Sequence, residues 1–195
     1  MAEKKQTPRE SLTEEQRKAL EAKMDAKTKE ELVAHVSNHQ IQERLMWAKS
    51  LVDIFGKEQA KKIIQDTVWK MWYDRGRAQA AAAGYPQDMD GFIKATMPKP
   101  GGGNPIVPPF EIVEKTNTRY VNRMNRCFIA EAYFRFKEGP EFERFGGEDV
   151  FEVVKARCIM DEARWVGFNP KMKVSRPKFF FDGDTCCEYV CELEE

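Results

Sequence analysis

The sequence lacks an excess of charge and any long apolar run. Its 195 residues include 32 basic and 32 acidic side chains, so the net positive charge typical of nucleic-acid-binding proteins is absent. No apolar run approaches the length of about 18 residues that a transmembrane helix needs, and the charged N-terminus has no signal-peptide core. We therefore expect a cytoplasmic protein that binds neither nucleic acid nor a membrane.

Signatures of nucleotide and zinc binding are also missing. The glycines at 101–103 lie in a proline-rich stretch, without the lysine and the serine or threonine of a phosphate-binding loop. There is no CxxC pair, and the only two histidines, His35 and His39, stand four residues apart without the glutamate of an HExxH metal motif. We therefore do not expect nucleotide-dependent chemistry or a structural zinc site.

The chain does contain five cysteines, all of which lie between residues 127 and 191. An odd number of cysteines fits free thiols in a reducing compartment better than a disulfide framework. The clustering of these thiols in one part of the chain needs an explanation, and the position of each in the predicted elements supplies one.

Hydrophobic periodicity predicts an α+β fold, in which N-terminal helices pack on an antiparallel sheet formed mainly by the C-terminal half and ending in a β-hairpin. Residues 1–29 are dense in alternating charge and predict a helical or flexible arm, and 30–195 form a single domain. Helices are expected over 30–55, 57–83 and 148–166 and after Cys127, strands from 110 onward and over 173–181 and 186–193, and a long proline-rich loop over 97–109.

The predicted helix over 148–166 carries one carboxylate on an otherwise apolar face. Phe151, Val154, Cys158, Asp161 and Trp165 follow one another at spacings of three and four and therefore share that face. A buried carboxylate costs several kcal/mol unless it is paired, hydrogen-bonded or bound to a ligand. Asp161 is therefore either a structural residue that holds backbone amides or an arginine, or part of a functional site.

Strand alternation and helix position divide the cysteines. Cys187 and Cys191 share the core face of the last strand, where Cys191 is expected to be a packing residue, whereas Cys186 is expected to face solvent. Cys127 precedes a predicted helix, where the helix dipole would lower the pKa of its thiol. Cys158 lies on the buried helix face. Buried cysteine is also common as a small hydrophobic residue, so packing alone remains an alternative.

The C-terminal residues form a recognisable pattern. It consists of a Cys-x-x-Asp helix at Cys158 and Asp161, a Gly-Phe-Asn-Pro break at 167–170, an arginine at Arg176 and a Gly-Asp-x-x-Cys segment ending at Cys187. This pattern resembles the L-2-amino-thiazoline-4-carboxylic acid hydrolase family. The upstream family cysteine corresponds to Cys127, followed here by Phe128 where the family usually has proline. The segment 50–66 is also similar, so the resemblance extends over most of the chain from about residue 30.

The resemblance implies a hydrolase that opens a small cyclic thiazoline carboxylate at its C=N bond, giving an S- or N-carbamoyl cysteine. Such chemistry needs a nucleophile, a proton donor to the leaving nitrogen and a cation for the carboxylate. We expect Cys127, Cys158 or Cys187 to be the nucleophile or to be metal ligands, and Asp161 to be the general acid and base. The substrate-binding candidates are Arg176 as the carboxylate clamp, Trp165 and Asp184, although Gly183 and Asp184 are also typical turn formers.

No cofactor is expected, although a metal held by Cys127, Cys158 and Cys187 would fit the same residues. The expected partner is a small-molecule substrate, and a homo-oligomer is one arrangement that the sequence allows. The alternative function is a non-enzymatic sensor that binds a small molecule or a metal in the same cysteine-lined pocket.

Overall fold

The computed structural model describes residues 13–15, 18, 29–84, 87–96 and 110–194. The predicted charged arm over 1–29 lies almost wholly outside the described residues, and the predicted loop over 97–109 lies entirely outside them.

Two long helices open the fold. α1 spans Lys29–Phe55 and α2 spans Lys57–Ala83, which confirms both predicted helices. Gly56 separates them with a φ of 76°, and Gly84 follows α2 with a φ of 59°. Positive φ angles are unfavourable for other residues, so the two glycines account for the positions at which the helices end.

The next element is a short helix that the sequence pattern does not predict. α3 spans Met89–Thr96 and buries Met89 and Phe92. The carboxylate of Asp88 accepts a hydrogen bond of 2.7 Å from the Gly91 amide, so Asp88 caps the first turn.

The second half supplies a four-stranded antiparallel sheet. Its strands are β1 (Phe110–Lys115), β2 (Arg119–Met124), β3 (Met172–Lys178) and β4 (Cys187–Leu193), in the order β1-β2-β4-β3. The buried face of the sheet carries Tyr120, Cys187, Tyr189 and Cys191. The α+β class and the closing hairpin are therefore confirmed, because β3 and β4 pair directly.

The segment predicted as one helix over 148–166 is divided. It consists of two helices separated by a 3₁₀ turn at Arg157–Ile159. Before it, α4 spans Phe128–Lys137. The two helices of the divided segment are α5 (Gly147–Ala156) and α6 (Met160–Phe168). The Cys158 carbonyl accepts a hydrogen bond of 3.1 Å from the Arg176 side chain. This contact from β3 satisfies the carbonyl at the break, and Cys158 consequently lies in a turn rather than inside a helix.

Glycines allow α2 and α6 to pack closely. α2 makes its most extensive contact with α6. A Cβ at Gly76 would overlap the Arg164 carbonyl, and a Cβ at Gly167 would overlap the Tyr73 carbonyl and lie 2.9 Å from the Tyr73 Cα. The Gly-Phe-Asn-Pro segment thus has a structural role, since Asn169 also donates a hydrogen bond of 2.6 Å to the Gln87 carbonyl.

Of the helices that the structure describes, none is both long enough and apolar enough to cross a bilayer.

Candidate functional site

Arg176 on β3 ties the turn at Cys158 to α6 and β4. Its Nη1 lies 3.1 Å from the Cys158 carbonyl oxygen and 3.5 Å from the Tyr189 hydroxyl, and its Nη2 lies 3.4 Å from the Glu162 carboxylate. The guanidinium also stacks over the Phe179 ring at 3.7 Å. The Arg176 guanidinium therefore already has polar partners in its plane and an aromatic ring against its face.

Asp161 is a carboxylate close to Arg176, since both contact the Tyr189 hydroxyl. The Tyr189 hydroxyl donates a hydrogen bond of 3.3 Å to Asp161 Oδ2. Burial raises the pKa of Asp161, and the charge of Arg164, the Tyr189 hydrogen bond and the charge of Arg176 lower it only in part. A carboxyl group with a raised pKa exchanges its proton closer to neutral pH, as a general acid and base requires.

Two other thiols influence the pKa of Cys158. The charges that Cys127 and Cys187 would carry as thiolates both raise the pKa of Cys158, so all three lie within electrostatic range of one another. Burial is the largest cause in each case, raising the pKa of Cys158 to about 12 and that of Cys187 to about 11. The negative charge of Asp161 also raises the pKa of Cys158. Cys158 is therefore coupled electrostatically to Cys127, Cys187 and Asp161, and the assignment of these residues to one catalytic site stays a prediction.

Cys127 immediately precedes α4, in an extended conformation. Hydrogen bonds from the Ala130 and Ile129 amides and the charge of Arg44 lower the pKa of Cys127, yet burial outweighs them and the net direction is upward. The predicted helix start is confirmed. The expected lowering of the pKa is wrong in its net direction, because desolvation of the thiolate is larger than the helix-end stabilisation.

The other two cysteines are both buried, and Cys186 acts electrostatically on its neighbour Cys187. Cys191 is fully buried in the core, as predicted. Cys186 is also buried, at 5% exposure, so the expectation that it faces solvent is wrong. Cys186 precedes the first residue of β4 and belongs to the connection after β3, so the alternation of the strand does not determine where its side chain lies.

The remaining candidates have structural partners. Trp165 is buried, with its ring edge-on to Tyr189 at 4.9 Å and to Phe92 at 5.9 Å. Asp184 is exposed, and its carboxylate accepts a hydrogen bond of 2.7 Å from the Phe179 amide. Trp165 thus packs behind Tyr189, and Asp184 fixes the connection whose Phe179 ring lies under Arg176.

An open cleft with a volume of about 270 Å³ borders Arg176. Its walls include Lys61, Glu152, Lys155, Glu162, Arg176 and Phe179. The cations of the cleft are paired with carboxylates, for example Lys61 with Glu152 at 3.7 Å and Arg176 with Glu162 at 3.4 Å. The cleft gives solvent a route to the Arg176 side of the site.

In the part of the chain that the structure describes, no three histidine, cysteine, aspartate or glutamate side chains form a group that could hold a metal ion. His35 and His39 are exposed on α1.

A family model describing L-2-amino-thiazoline-4-carboxylic acid hydrolases matches residues 36–190. The chain belongs to this family. A search of curated proteins and a search of solved structures each returned no match. The match covers all of the elements that carry the site, from α1 to most of β4, and the family name describes a hydrolase of a thiazoline carboxylate.

Three residues of the site were not identified from the sequence of this hydrolase-family member. Tyr189 shares a strand face with Cys187 and Cys191, and this alternation was a usable signal. No sequence signal pointed to Glu162 or Arg44, because charged residues on helices rich in charge usually face solvent. Only the folded chain brings Glu162 to Arg176 and Arg44 within electrostatic range of Cys127 and Cys158.

Replacing Asp161 with asparagine should stabilise the protein at alkaline pH. Because the folded-state pKa of Asp161 is raised, its contribution to stability is present at acid pH and lost as the pH rises through that value. Asparagine can still accept the Tyr189 hydrogen bond and never ionises. We expect its midpoint of thermal unfolding at pH 8 to exceed that of the wild type by about 2–4 °C, which corresponds to roughly 1 kcal/mol in a domain of this size.

The difference in melting temperature should close as the pH approaches 4. Thermal unfolding followed by circular dichroism at pH 4, 6 and 8 measures it. A variant that melts below the wild type at pH 8 would mean that the Asp161 carboxylate stabilises the fold.

Proposed function

We propose that this protein hydrolyses a C–N bond of a small, cyclic, amidine-like substrate that bears a carboxylate, of the thiazoline carboxylate type. Membership of the hydrolase family supports the reaction class. The observation that carries the proposal is the arrangement at the Cys158 turn, where Arg176 donates a hydrogen bond to the Cys158 carbonyl and Tyr189 donates one to Asp161. Cys127, Cys187 and Asp161 all raise the pKa of Cys158 at this turn.

Cys158 is the nucleophile in this proposal. It is the thiol on which Cys127, Asp161, Arg176 and Cys187 all act electrostatically. A pKa of about 12 keeps the resting thiol protonated, so attack needs a base to remove the proton. Asp161 stands one turn further along the chain and has a raised pKa, which suits it to that role.

The first half of the reaction breaks the ring. The Cys158 sulfur bonds to C2 of the thiazoline, and Asp161 transfers the thiol proton to the ring nitrogen. The bond between C2 and that nitrogen then breaks while the exocyclic nitrogen forms a double bond to C2, and a proton of the exocyclic nitrogen passes through Asp161 to the leaving amine.

The second half releases the enzyme. Water adds to C2, and its oxygen becomes the carbonyl oxygen. One of its protons goes to the exocyclic nitrogen and the other to the Cys158 sulfur as that sulfur leaves. The product is an S-carbamoyl cysteine, and the enzyme returns to its resting protonation state.

Incubation of the purified full chain with 2-amino-thiazoline-4-carboxylate tests this function. Mass spectrometry should detect a carbamoyl cysteine that carries ¹⁸O when the reaction runs in ¹⁸O-labelled water. Asp161→Asn should lower kcat by about 10²- to 10⁴-fold, the usual contribution of a general acid and base. Asp149→Asn, which removes an exposed carboxylate that pairs with Lys57, is the matched control. Saturable binding without turnover would favour the non-enzymatic sensor.

The Tyr189 hydrogen bond should set the acid limb of the pH profile. Asp161 must be ionised to accept the Cys158 proton, so activity is lost as the pH falls through the pKa of Asp161. The Tyr189 hydroxyl lowers that pKa, and Tyr189→Phe should therefore move the acid limb of kcat to higher pH. Measurement of kcat from pH 4 to 9 for both proteins checks the shift. An unmoved limb would assign it to another group.

A further inference from the structure

A row of polar side chains crosses the inner face of the sheet. In the antiparallel pairing of β2 with β4, Asn122 lies directly opposite Tyr189, and residues opposite one another in such a pair place their side chains on the same face. β3 flanks β4 on its other side, and there the Arg176 Nη1 lies 3.5 Å from the Tyr189 hydroxyl. Asn122, Tyr189 and Arg176 therefore stand side by side, and we call them the polar row.

The polar row contacts the residues of the proposed reaction. Tyr189, in the middle, donates a hydrogen bond of 3.3 Å to Asp161 Oδ2. Arg176, at one end, donates a hydrogen bond of 3.1 Å to the Cys158 carbonyl oxygen and lines the open cleft. The polar row is thus the part of the sheet that faces Cys158 and Asp161.

The two register shifts in the sheet of described strands border this row. β2 and β4 pair without a shift, whereas β1 shifts its register against β2 directly after Ile112, the residue that pairs with Asn122. β3 shifts its register against β4 between Ser175 and Lys178, the interval that contains Arg176. Bulges of this kind change the direction of nearby side chains and are frequent beside active sites. The sheet is therefore irregular at both ends of the polar row.

Asn122 contributes an unused donor to the polar row. Its side chain is buried, and among the described residues its Nδ2 has no hydrogen-bond partner. Tyr189 and Arg176, in contrast, each donate a hydrogen bond within the protein. A buried donor without a partner destabilises a fold, and a catalytic role is one reason why a protein retains such a group.

The neighbouring row on the same face shows the difference. Tyr120 stands two residues before Asn122 on β2, is fully buried, and also has a hydroxyl without a hydrogen-bond partner among the described residues. Its cross-strand partner is Cys191, which pairs in turn with Val174. Its ring lies edge-on to Phe92, with 6.3 Å between the ring centres. The row of Tyr120 is therefore apolar, whereas that of Asn122 is polar.

We propose that the Asn122 side-chain amide donates a hydrogen bond to the oxygen that water adds to C2 of the substrate. In the proposed reaction this oxygen draws electron density from C2 and becomes the carbonyl oxygen of the product. A preorganised amide donor in a buried site stabilises such an oxygen in the transition state. As a donor to a ligand Asn122 stands on the contacts above, whereas the identity of the acceptor rests on the proposed function.

Binding of two ring probes to the full chain by isothermal titration calorimetry at pH 8 tests this donor without turnover. 2-Oxothiazolidine-4-carboxylate carries a carbonyl oxygen on C2, and thiazolidine-4-carboxylate has the same ring and carboxylate without that oxygen. We expect the wild type to bind the oxo probe about 3- to 10-fold more tightly, the effect of one hydrogen bond. Asn122→Leu, which has a similar size and no side-chain donor, should abolish this preference.

Turnover of 2-amino-thiazoline-4-carboxylate is the second readout. Asn122→Leu should lower kcat by about 10²- to 10³-fold, the cost of losing one donor to a developing oxyanion. KM should change far less, because the oxygen comes from water and is absent from the bound substrate. The variant should melt no lower than the wild type, since it removes an unpaired buried donor. Asn122→Ala, which adds no volume, is a second variant.

Tyr120→Phe is the matched control. It also removes one unpaired buried donor from the inner face of β2, but from the apolar row, so it should change neither the probe preference nor kcat. A wild type that binds both probes equally well, or an unchanged kcat in folded Asn122→Leu and Asn122→Ala, would overturn the proposal and leave Asn122 as a structural residue.

The same proteins separate this inference from the proposed function. If the probe preference depends on Asn122 but 2-amino-thiazoline-4-carboxylate is not turned over, the donor to a C2 oxygen stands and the hydrolysis proposal is wrong. If the substrate is turned over equally well by the Asn122 variants, hydrolysis stands and another group stabilises the oxygen.

Discussion

Cys158→Ala should lower kcat/KM for 2-amino-thiazoline-4-carboxylate by at least about 10³-fold, because removal of a covalent nucleophile removes the reaction path itself. The fold should survive this change. Cys158 is only partly buried and sits in a short turn, and its carbonyl, which anchors Arg176, is unaffected by the side chain. Initial rates measured over a range of substrate concentrations, together with a thermal unfolding curve, give both quantities.

Cys186→Ala is the control for this experiment. It removes a buried thiol that is neither a candidate nucleophile nor among the groups that act on Cys158, so it should cost some stability and little activity. Iodoacetamide labelling followed by peptide mapping adds a second readout, since substrate should protect Cys158. Full activity in both Cys158→Ala and Cys187→Ala would rule out a thiol nucleophile at either position.

Gly167→Ala should destabilise the protein by about 3 kcal/mol or more, the upper range for an overpacked contact. Alanine is the better helix former, so the whole loss would come from the contact between α6 and α2. The added Cβ meets the backbone of Tyr73, including its Cα at 2.9 Å, and backbone atoms cannot move aside as a side chain can. A drop in melting temperature of about 6–12 °C is the expected result.

Gly56→Ala is the control for this prediction, because it measures the cost of an unfavourable backbone conformation without the steric overlap expected at Gly167. Gly56 has a φ of 76° and a ψ of 162°, with no atom within 4 Å of an added Cβ, so its substitution carries only the cost of a backbone conformation that is nearly restricted to glycine, about 1–3 kcal/mol. Chemical denaturation of the two variants compares them directly. A smaller loss for Gly167→Ala than for Gly56→Ala would mean that α2 and α6 can separate without penalty.

Local patterns in the sequence were sufficient to predict the long helices and the inward face of the last strand. The apolar spacing and the two glycines predicted α1 and α2 to within a residue or two of their observed bounds, because helix period and positive-φ glycine are properties of a few adjacent residues. Alternation placed Cys187 and Cys191 inward in the same way. α3 was missed although Asp88 is a good capping residue, since its eight residues give too short a periodic signal.

The site required contacts between distant segments. Alternation failed at Cys186 because that residue lies before the strand begins, and the helix expected over 148–166 is interrupted where Arg176, 18 residues from Cys158, bonds the Cys158 carbonyl.

The sequence by itself thus determined the fold class, most element bounds and the cysteines and carboxylate that carry the family pattern, because these depend on local periodicity and residue type. The tertiary structure alone decided which partners the charged side chains of the site have. Arg176 is part of the family pattern in the sequence, but only folding brings it to Glu162 and to the Cys158 carbonyl. The net direction of the Cys127 pKa was also decided there, since desolvation depends on every atom packed around a group.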